Sequence, residues 1–244
     1  MIPEVSIVIP VYNEEENVPI LASALVDVME KTGYSYEVVF VDDGSTDSSR
    51  LILKKLCSEN PNFKTIRFKR NSGQTAAMDA GFKAVKGKFV VSMDADLQND
   101  PKDIPLLLEG LKSYDVVCGW RYKRNDPWIK LVSAKIANFI RNKLSDEDIK
   151  DIGCSLKAYK RECLDKIKLY NGLHRFLPTL FKMEGFTVTE VKINHFPRKY
   201  GVSKYGIGNR MFRAFYDLLV VRWMKKRRLN YEIEERAEGR GARC

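Results

Sequence analysis

Asp94 and Asp96 stand two residues apart in the run Ser92-Met93-Asp94-Ala95-Asp96-Leu97-Gln98, which closes an apolar, β-branched stretch. Residues i and i+2 of an extended chain project to the same side, so this spacing gathers two carboxylates in one region of space. Holding them there without a counter-charge is costly. A hard divalent cation such as Mg²⁺ or Mn²⁺, completed by substrate phosphates, resolves that cost. A solvated turn at a strand end explains the tripeptide equally well, and other Asp-x-Asp enzymes, aspartyl-nucleophile phosphatases among them, also fit it. A second acidic turn runs from Asp42 and Asp43 through Gly44, Ser45 and Thr46 to Asp47. Its carboxylates are suited to accept hydrogen bonds from a nucleobase and a ribose, and Gly44 permits a tight turn. A third segment, Ile9-Pro10-Val11-Tyr12-Asn13-Glu14, offers Pro10 and Tyr12 as a stacking wall. Singly, each is an ordinary strand-to-helix connection; together they are much rarer than their parts.

These residues need a frame that brings strand ends together. Short β-branched runs at 5–12, 37–41, 64–68, 89–93 and 115–119 alternate with helix-period stretches, the pattern of βαβ units and a largely parallel α/β sheet. In such sheets ligands sit beyond the carboxyl ends of the strands, where the acidic segments fall. Helix starts are expected at Ser45-Thr46-Asp47, Asp100-Pro101 and Asp126-Pro127, where capping residues precede apolar periodicity. From about Asp151 the pattern changes to a strand at 155–159, a helix at 173–183, a strand at 187–194, a Gly- and Lys-rich loop at 198–208 and a last helix at 207–228. The 244 residues suffice for one α/β domain with a small appendage, and 44% hydrophobic with 30% charged content excludes collagen-like and bulk-disordered chains. Charge is uneven: the net +10 divides into +2 over residues 1–195, +9 over 196–230 and −1 over 231–244. Five scattered cysteines without a C-x-x-C pair argue against a zinc or disulfide framework and for a reducing compartment. Neither a secretory leader nor an unbroken apolar run of about 18 to 20 residues is visible.

The segments 6–14 (SIVIPVYNE), 41–47 (VDDGSTD), 70–77 (RNSGQTAA), 94–101 (DADLQNDP), 119–121 (GWR), 174–176 (HRF) and 198–205 (RKYGVSKY) occur in this order. In this the chain resembles the family 2 glycosyltransferases of GT-A fold, and within them the polyprenyl-phosphate glycosyltransferases, the dolichol-phosphate mannose synthase-like group. The resemblance covers residues 4–210 and implies a mostly parallel, Rossmann-like sheet flanked by helices. It also implies that Pro10, Tyr12, Glu14, Asp42 and Gln74 hold a nucleotide-diphospho-sugar, that Asp94 sits by the ribose, and that Asp96 and Gln98, with Asp94, take the Mg²⁺ or Mn²⁺ on the diphosphate. Arg121, Arg198, Ser203 and Lys204 would handle the donor diphosphate and acceptor phosphate. A functional role for His174 and Arg175 competes with a structural capping role.

Charge accounting gives the mechanism this implies. Negative charge grows on the leaving nucleoside diphosphate, so a cation with nearby Arg and Lys accelerates the reaction. A lipid phosphate is already anionic near neutral pH and needs no strong base; a hydroxyl acceptor would need one, for which Asp151 is the candidate, with positioning of a loop or arginine as its alternative role. Direct in-line attack inverts the anomeric centre, so the resemblance implies an inverting transferase that moves a hexose from GDP-mannose or a UDP-hexose to a polyprenyl (undecaprenyl or dolichyl) phosphate. The expected domains are a catalytic domain at 1–206, an amphipathic basic helix at 207–230 lying on a membrane surface, and a disordered tail at 231–244. A cytoplasmic protein peripheral on the inner membrane face is expected, with room for a separate integral-membrane partner and a homo-oligomer. Arg222-Trp223 resembles the tail of the Q-x-x-R-W motif of polysaccharide synthases, but Leu219 stands where Gln would. The alternatives are a saccharide or glycolipid hydroxyl acceptor, a non-catalytic nucleotide-sugar-binding subunit and a nucleic-acid-binding module; the last has no use for acidic strand ends and is disfavoured, so no nucleic-acid partner is expected.

Overall fold

The computed structural model describes residues 2–122, 149–200 and 207–229, together with 231 and 234; for the last helix, side chains are described from Tyr216 onward. Seven strands form one sheet: β1 (Val5–Val11), β2 (Tyr36–Asp42), β3 (Phe63–Arg67), β4 (Phe89–Ser92), β5 (Val116–Arg121), β6 (Lys157–Lys160) and β7 (Val188–Ile193). Their order is β3-β2-β1-β4-β6-β5-β7. Every neighbouring pair is parallel except those made by β6, which runs antiparallel to both β4 and β5. The reversal of β6 has a functional consequence. The carboxyl ends of β1, β2, β4, β5 and β7 all point to one edge of the sheet, and the residues entering β6 arrive at that same edge.

The described helices are α1 (Asn17–Thr32), α2 (Ser49–Glu59), α3 (Gln74–Ala84), α4 (Ile104–Gly110), α5 (Arg161–Leu164), α6 (Leu177–Met183) and α7 (Ile207–Arg227). They cover both sheet faces, which explains why the strands read as nearly continuous apolar runs. Val5, Ile7, Ile9 and Val11 of β1 pack on one side with Leu21 and Leu25 of α1 and Leu107 of α4. Val8, Val39, Val41, Val90 and Tyr159 pack on the other side with Ala77 and Met78 of α3 and Phe181 of α6. A satellite core joins Leu173, Phe176 and Leu180 to Leu218 and Val221 of α7.

Two sequence expectations change here. Of the trio Ser45-Thr46-Asp47 only Asp47 bonds into α2, which begins at Ser49 with Ser48 at its N-cap position. The Ser45 hydroxyl instead accepts from the Asn13 amide (3.0 Å), Asn13 Oδ1 accepts from the Thr46 amide (2.8 Å), and Asp47 accepts from Glu15 (3.2 Å) and from Ser49 (3.0 Å). The polar residues lace the β1 and β2 loops together, because two neighbouring strand ends offer partners nearer than the helix. The single helix expected at 173–183 is a 3-10 turn, Leu173–Phe176, followed by α6 with Pro178 in its first turn. By contrast, Asp100 does accept from the Lys102 amide at the start of the turn that leads into α4. The cap expected at Asp126-Pro127 lies outside the described residues.

Candidate active site

The acidic segments of β1, β2 and β4 meet at the common sheet edge. Asn13 adopts a left-handed backbone (φ 53°), which turns the chain out of β1, and Asn17 Nδ2 donates to Glu14 Oε2 at 2.6 Å. Asp42, 1% exposed, accepts from the Ser45 amide (2.8 Å) and from Arg67 Nε (3.1 Å). Asp43 departs from the expectation that both carboxylates face a ligand: its oxygens take the amides of Ser72 (2.6 Å) and Gly73 (2.9 Å), so it anchors the loop that opens α3. The close approach explains Gly44. With φ at 73°, any Cβ there would meet the Arg70 carbonyl carbon at 2.6 Å. Pro10 and Tyr12 are both half-buried at this rim.

The anchored loop delivers Gln74, whose Nε2 donates to Asp94 Oδ1 at 2.7 Å. Burial, then repulsion from Asp96, push the Asp94 carboxyl up to about 6, against the opposing pull of Ser155, Lys157 and Arg121. Asp96 is 7% exposed; its Oδ1 accepts from the Gln98 amide at 3.2 Å and its Oδ2 from Arg198 Nη2 at 2.7 Å. Leu97, between them, has φ 59°, a left-handed residue in the tight turn after β4. The pair fits a divalent cation on two grounds. Asp94 is destabilised as an anion by burial and then by its neighbour, and Asp96 already holds a positive group. Among the described residues no cluster of three or more His, Cys, Asp or Glu encloses a metal. Two carboxylates alone match a cation that takes its remaining oxygens from water and phosphate.

Across the edge, Arg121 at the end of β5 grips Asp151 with a fork: Nε to Oδ2 is 2.7 Å and Nη2 to Oδ1 is 2.8 Å, and the Arg121 amide donates to Oδ2 at 3.2 Å. Asp151 is held in turn from β7, because Glu190 accepts the amides of Lys150 and Asp151, both at 2.8 Å. Behind them lies Lys157, 3% exposed, donating to the carbonyls of Ile152 and Cys154. His174 Nδ1 lies 2.6 Å from the Thr75 hydroxyl on α3, which also accepts from the Gly172 amide at 3.0 Å, so His174 docks beside Gln74.

The structure thus brings Glu14, Asp42, Gln74, Asp94, Asp96, Gln98, Arg121, Asp151 and Arg198 to one sheet edge, while Ser203 and Lys204 lie outside the described residues. Arg67, Glu190 and Lys157 escaped the sequence reading. A lysine set between Leu156 and Ala158 at the start of β6 was a legible signal; Glu190, in mid-strand, carried none.

A family model described as "Glycosyl transferase family 2" matches residues 6–168. The chain belongs to this family. The family 2 chain is 37% identical over 224 residues to dodecaprenyl-phosphate galacturonate synthase of Rhizobium johnstonii, a match covering 89% of this chain and 66% of that protein. It is 37% identical over 217 residues to undecaprenyl-phosphate 4-deoxy-4-formamido-L-arabinose transferase of Aeromonas hydrophila subsp. hydrophila, covering 88% and 66% respectively. It thus spans just under two thirds of the length of these curated relatives. Among solved structures, glucosyl-3-phosphoglycerate synthase from Mycobacterium tuberculosis in complex with Mn²⁺, uridine diphosphate and phosphoglyceric acid aligns with a TM-score of 0.69 at 16% identity, over 93% of this chain and 80% of that one. The same enzyme with Mg²⁺ and uridine diphosphate gives 0.67 at 18% identity, over 90% and 79%. At such identity the likeness is one of fold, and the fold of this family 2 chain is GT-A.

Proposed function

We propose that the protein is a metal-dependent inverting glycosyltransferase that moves a sugar from a nucleoside-diphosphate donor to a polyprenyl phosphate. The observation that carries this is the pairing of a two-carboxylate rim, Asp94 and Asp96, with two guanidinium groups, Arg121 and Arg198, around one sheet edge. Acidic residues alone would serve a cation; the arginines add places for two phosphate-bearing substrates. Both curated relatives carry a polyprenyl phosphate in their names, which favours a lipid phosphate as acceptor.

In this reading Pro10, Tyr12, Glu14 and Asp42 shape the nucleoside pocket, and Gln74 orients Asp94. Asp94, Asp96 and Gln98 would hold Mg²⁺ or Mn²⁺, which when bound neutralises charge on the diphosphate. Arg121 steadies the departing oxygens, and Asp151 acts through it as a positioning residue: a carboxylate already forked by a guanidinium is poorly placed to take a proton. That favours an acceptor needing no base. The acceptor phosphate oxygen forms the new bond to the anomeric carbon as the bond to the diphosphate oxygen breaks, the electron pair leaving with the diphosphate. Arg198, with Ser203 and Lys204 beyond the described residues, handles the donor diphosphate and the acceptor phosphate.

No described helix is long and apolar enough to cross a membrane. Helix α7, in the segment assigned here as an amphipathic basic helix at 207–230, leaves Tyr216, Leu219 and Trp223 exposed beside Lys225, Lys226 and Arg227. This supports docking on the anionic cytoplasmic face of a bilayer. The deciding experiment incubates the protein with Mn²⁺, polyprenyl phosphate in detergent and a panel of labelled UDP- and GDP-sugars. Label is expected in the organic phase with one donor and is expected to vanish in Asp96→Asn. Label passing only to water-soluble saccharide would overturn the lipid acceptor.

A further inference from the structure

Arg198 and Asp96 stand 102 residues apart in sequence and meet at 2.7 Å. Their contact ends a series of bonds that zips the strap after β7 onto the segment after β4. Asn194 donates to Asp103 through its backbone amide (2.8 Å) and Nδ2 (3.1 Å), His195 bridges Asn99, and the Phe196 amide donates to the Gln98 carbonyl at 2.9 Å. The strap backbone is fixed by these bonds without help from Arg198. The guanidinium, its side chain 29% exposed, can therefore change partner while the main chain stays in place.

We propose that Arg198 is a resident surrogate cation on Asp96, which keeps free divalent metal out of the site and admits it only together with a nucleoside diphosphate. The inference rests on the metal reading above and adds an order of loading to it. A lone aqua cation that reaches Asp96 must break a charge-assisted hydrogen bond at a carboxylate that is largely buried, and it leaves the guanidinium without that anion. A cation arriving with a diphosphate meets a different balance. Asp96 exchanges one positive partner for another, and Arg198 exchanges a carboxylate for phosphate oxygens, which suit its planar fork. The same residue thus discriminates against the bare metal and rewards the metal–diphosphate complex, a specificity-determining role distinct from any contact with the acceptor.

The test measures Mn²⁺ binding to the full chain by loss of the free-ion electron paramagnetic resonance signal, with no sugar and no acceptor, alone and with UDP or GDP. Wild-type protein is expected to bind Mn²⁺ weakly alone and far more tightly with one of the nucleotides. Arg198→Gln is expected to bind Mn²⁺ alone at least about tenfold tighter than wild type, with a smaller further gain from nucleotide. Arg198→Met serves as a second neutral replacement, each variant checked by a thermal melt, and Arg198→Lys, which keeps the charge, is expected to stay near wild type. If both neutral variants bind Mn²⁺ alone no tighter than wild type while Asp96→Asn abolishes nucleotide-dependent binding, the surrogate role is overturned and the metal reading stands. If Asp96→Asn binds Mn²⁺ as wild type does, both fall.

Discussion

Asp94 is held in a place that suits ligands better than it suits folding. Its carboxyl is raised from the ordinary 3.8 to about 6 by burial and by Asp96. Between those two values the folded state binds more protons than the unfolded chain, so this residue's contribution to stability falls as pH rises through the window. Asp94→Asn keeps an oxygen to accept from Gln74 and removes the charge. It is expected to raise stability at pH 7 by roughly 1–3 kcal/mol, with the gain disappearing below about pH 4, while abolishing metal-dependent turnover. Denaturant melts at several pH values check this; an unchanged or lower midpoint at pH 7 would refute it. Arg121 and Asp151 give the second residue-scale prediction. On the proposed reading, in which Asp151 acts through Arg121, Asp151→Asn and Arg121→Ala should each lower kcat by at least about tenfold, and the double variant should be little worse than Arg121→Ala. Additive losses would point to an independent role for Asp151.

Helix α7 divides its residues between two environments. Val221 and Leu218 are buried against Leu173, Phe176 and Leu180, whereas Trp223 is 63% exposed. Truncating the buried side should unsettle the fold: Leu218→Ala is expected to cost about 2–4 kcal/mol in a denaturant melt. The exposed side should matter to a bilayer instead. Trp223→Ala combined with Lys226→Glu and Arg227→Glu should leave the melt within about 0.5 kcal/mol and weaken sedimentation with anionic vesicles by about tenfold or more. Undiminished vesicle binding would remove the membrane reading of this helix. The periodicity of α7 was legible because apolar residues recur at helical spacing, but its division was not. Leu218 and Leu219 are adjacent and alike in chemistry; the satellite core, built from the 3-10 turn and α6, buries the first and leaves the second exposed.

At the scale of the whole molecule, the two ends of the sheet have different duties. Away from the site, Asp115, just before β5, accepts from Lys160 Nζ (2.8 Å) and from the amide (2.9 Å) and hydroxyl (2.7 Å) of Thr187, which hold its carboxyl down at about 2. Its stabilising contribution is complete above the ordinary carboxylate range and is lost as pH falls through about 2. Asp115→Asn should therefore lower the melting temperature at pH 7, lose that difference near pH 2, and leave the KM for donor unchanged. The site end shows what each level of information decides. The sequence by itself determined the strand-helix alternation, the acidic turns after β1, β2 and β4, and the basic end of the chain, because hydrophobic period, turn chemistry and charge are local properties that need no partner. Tertiary structure alone decided which partner each carboxylate takes at this edge. Asp42, Asp43, Asp94, Asp96 and Asp151 are chemically near-identical, and what separates them is the partner that arrives from a distant segment: Arg67 for Asp42, the Ser72 and Gly73 amides for Asp43, Gln74 for Asp94, Arg198 for Asp96 and Arg121 for Asp151. Those pairings follow from strand order and from the reversal of β6, which no local pattern encodes.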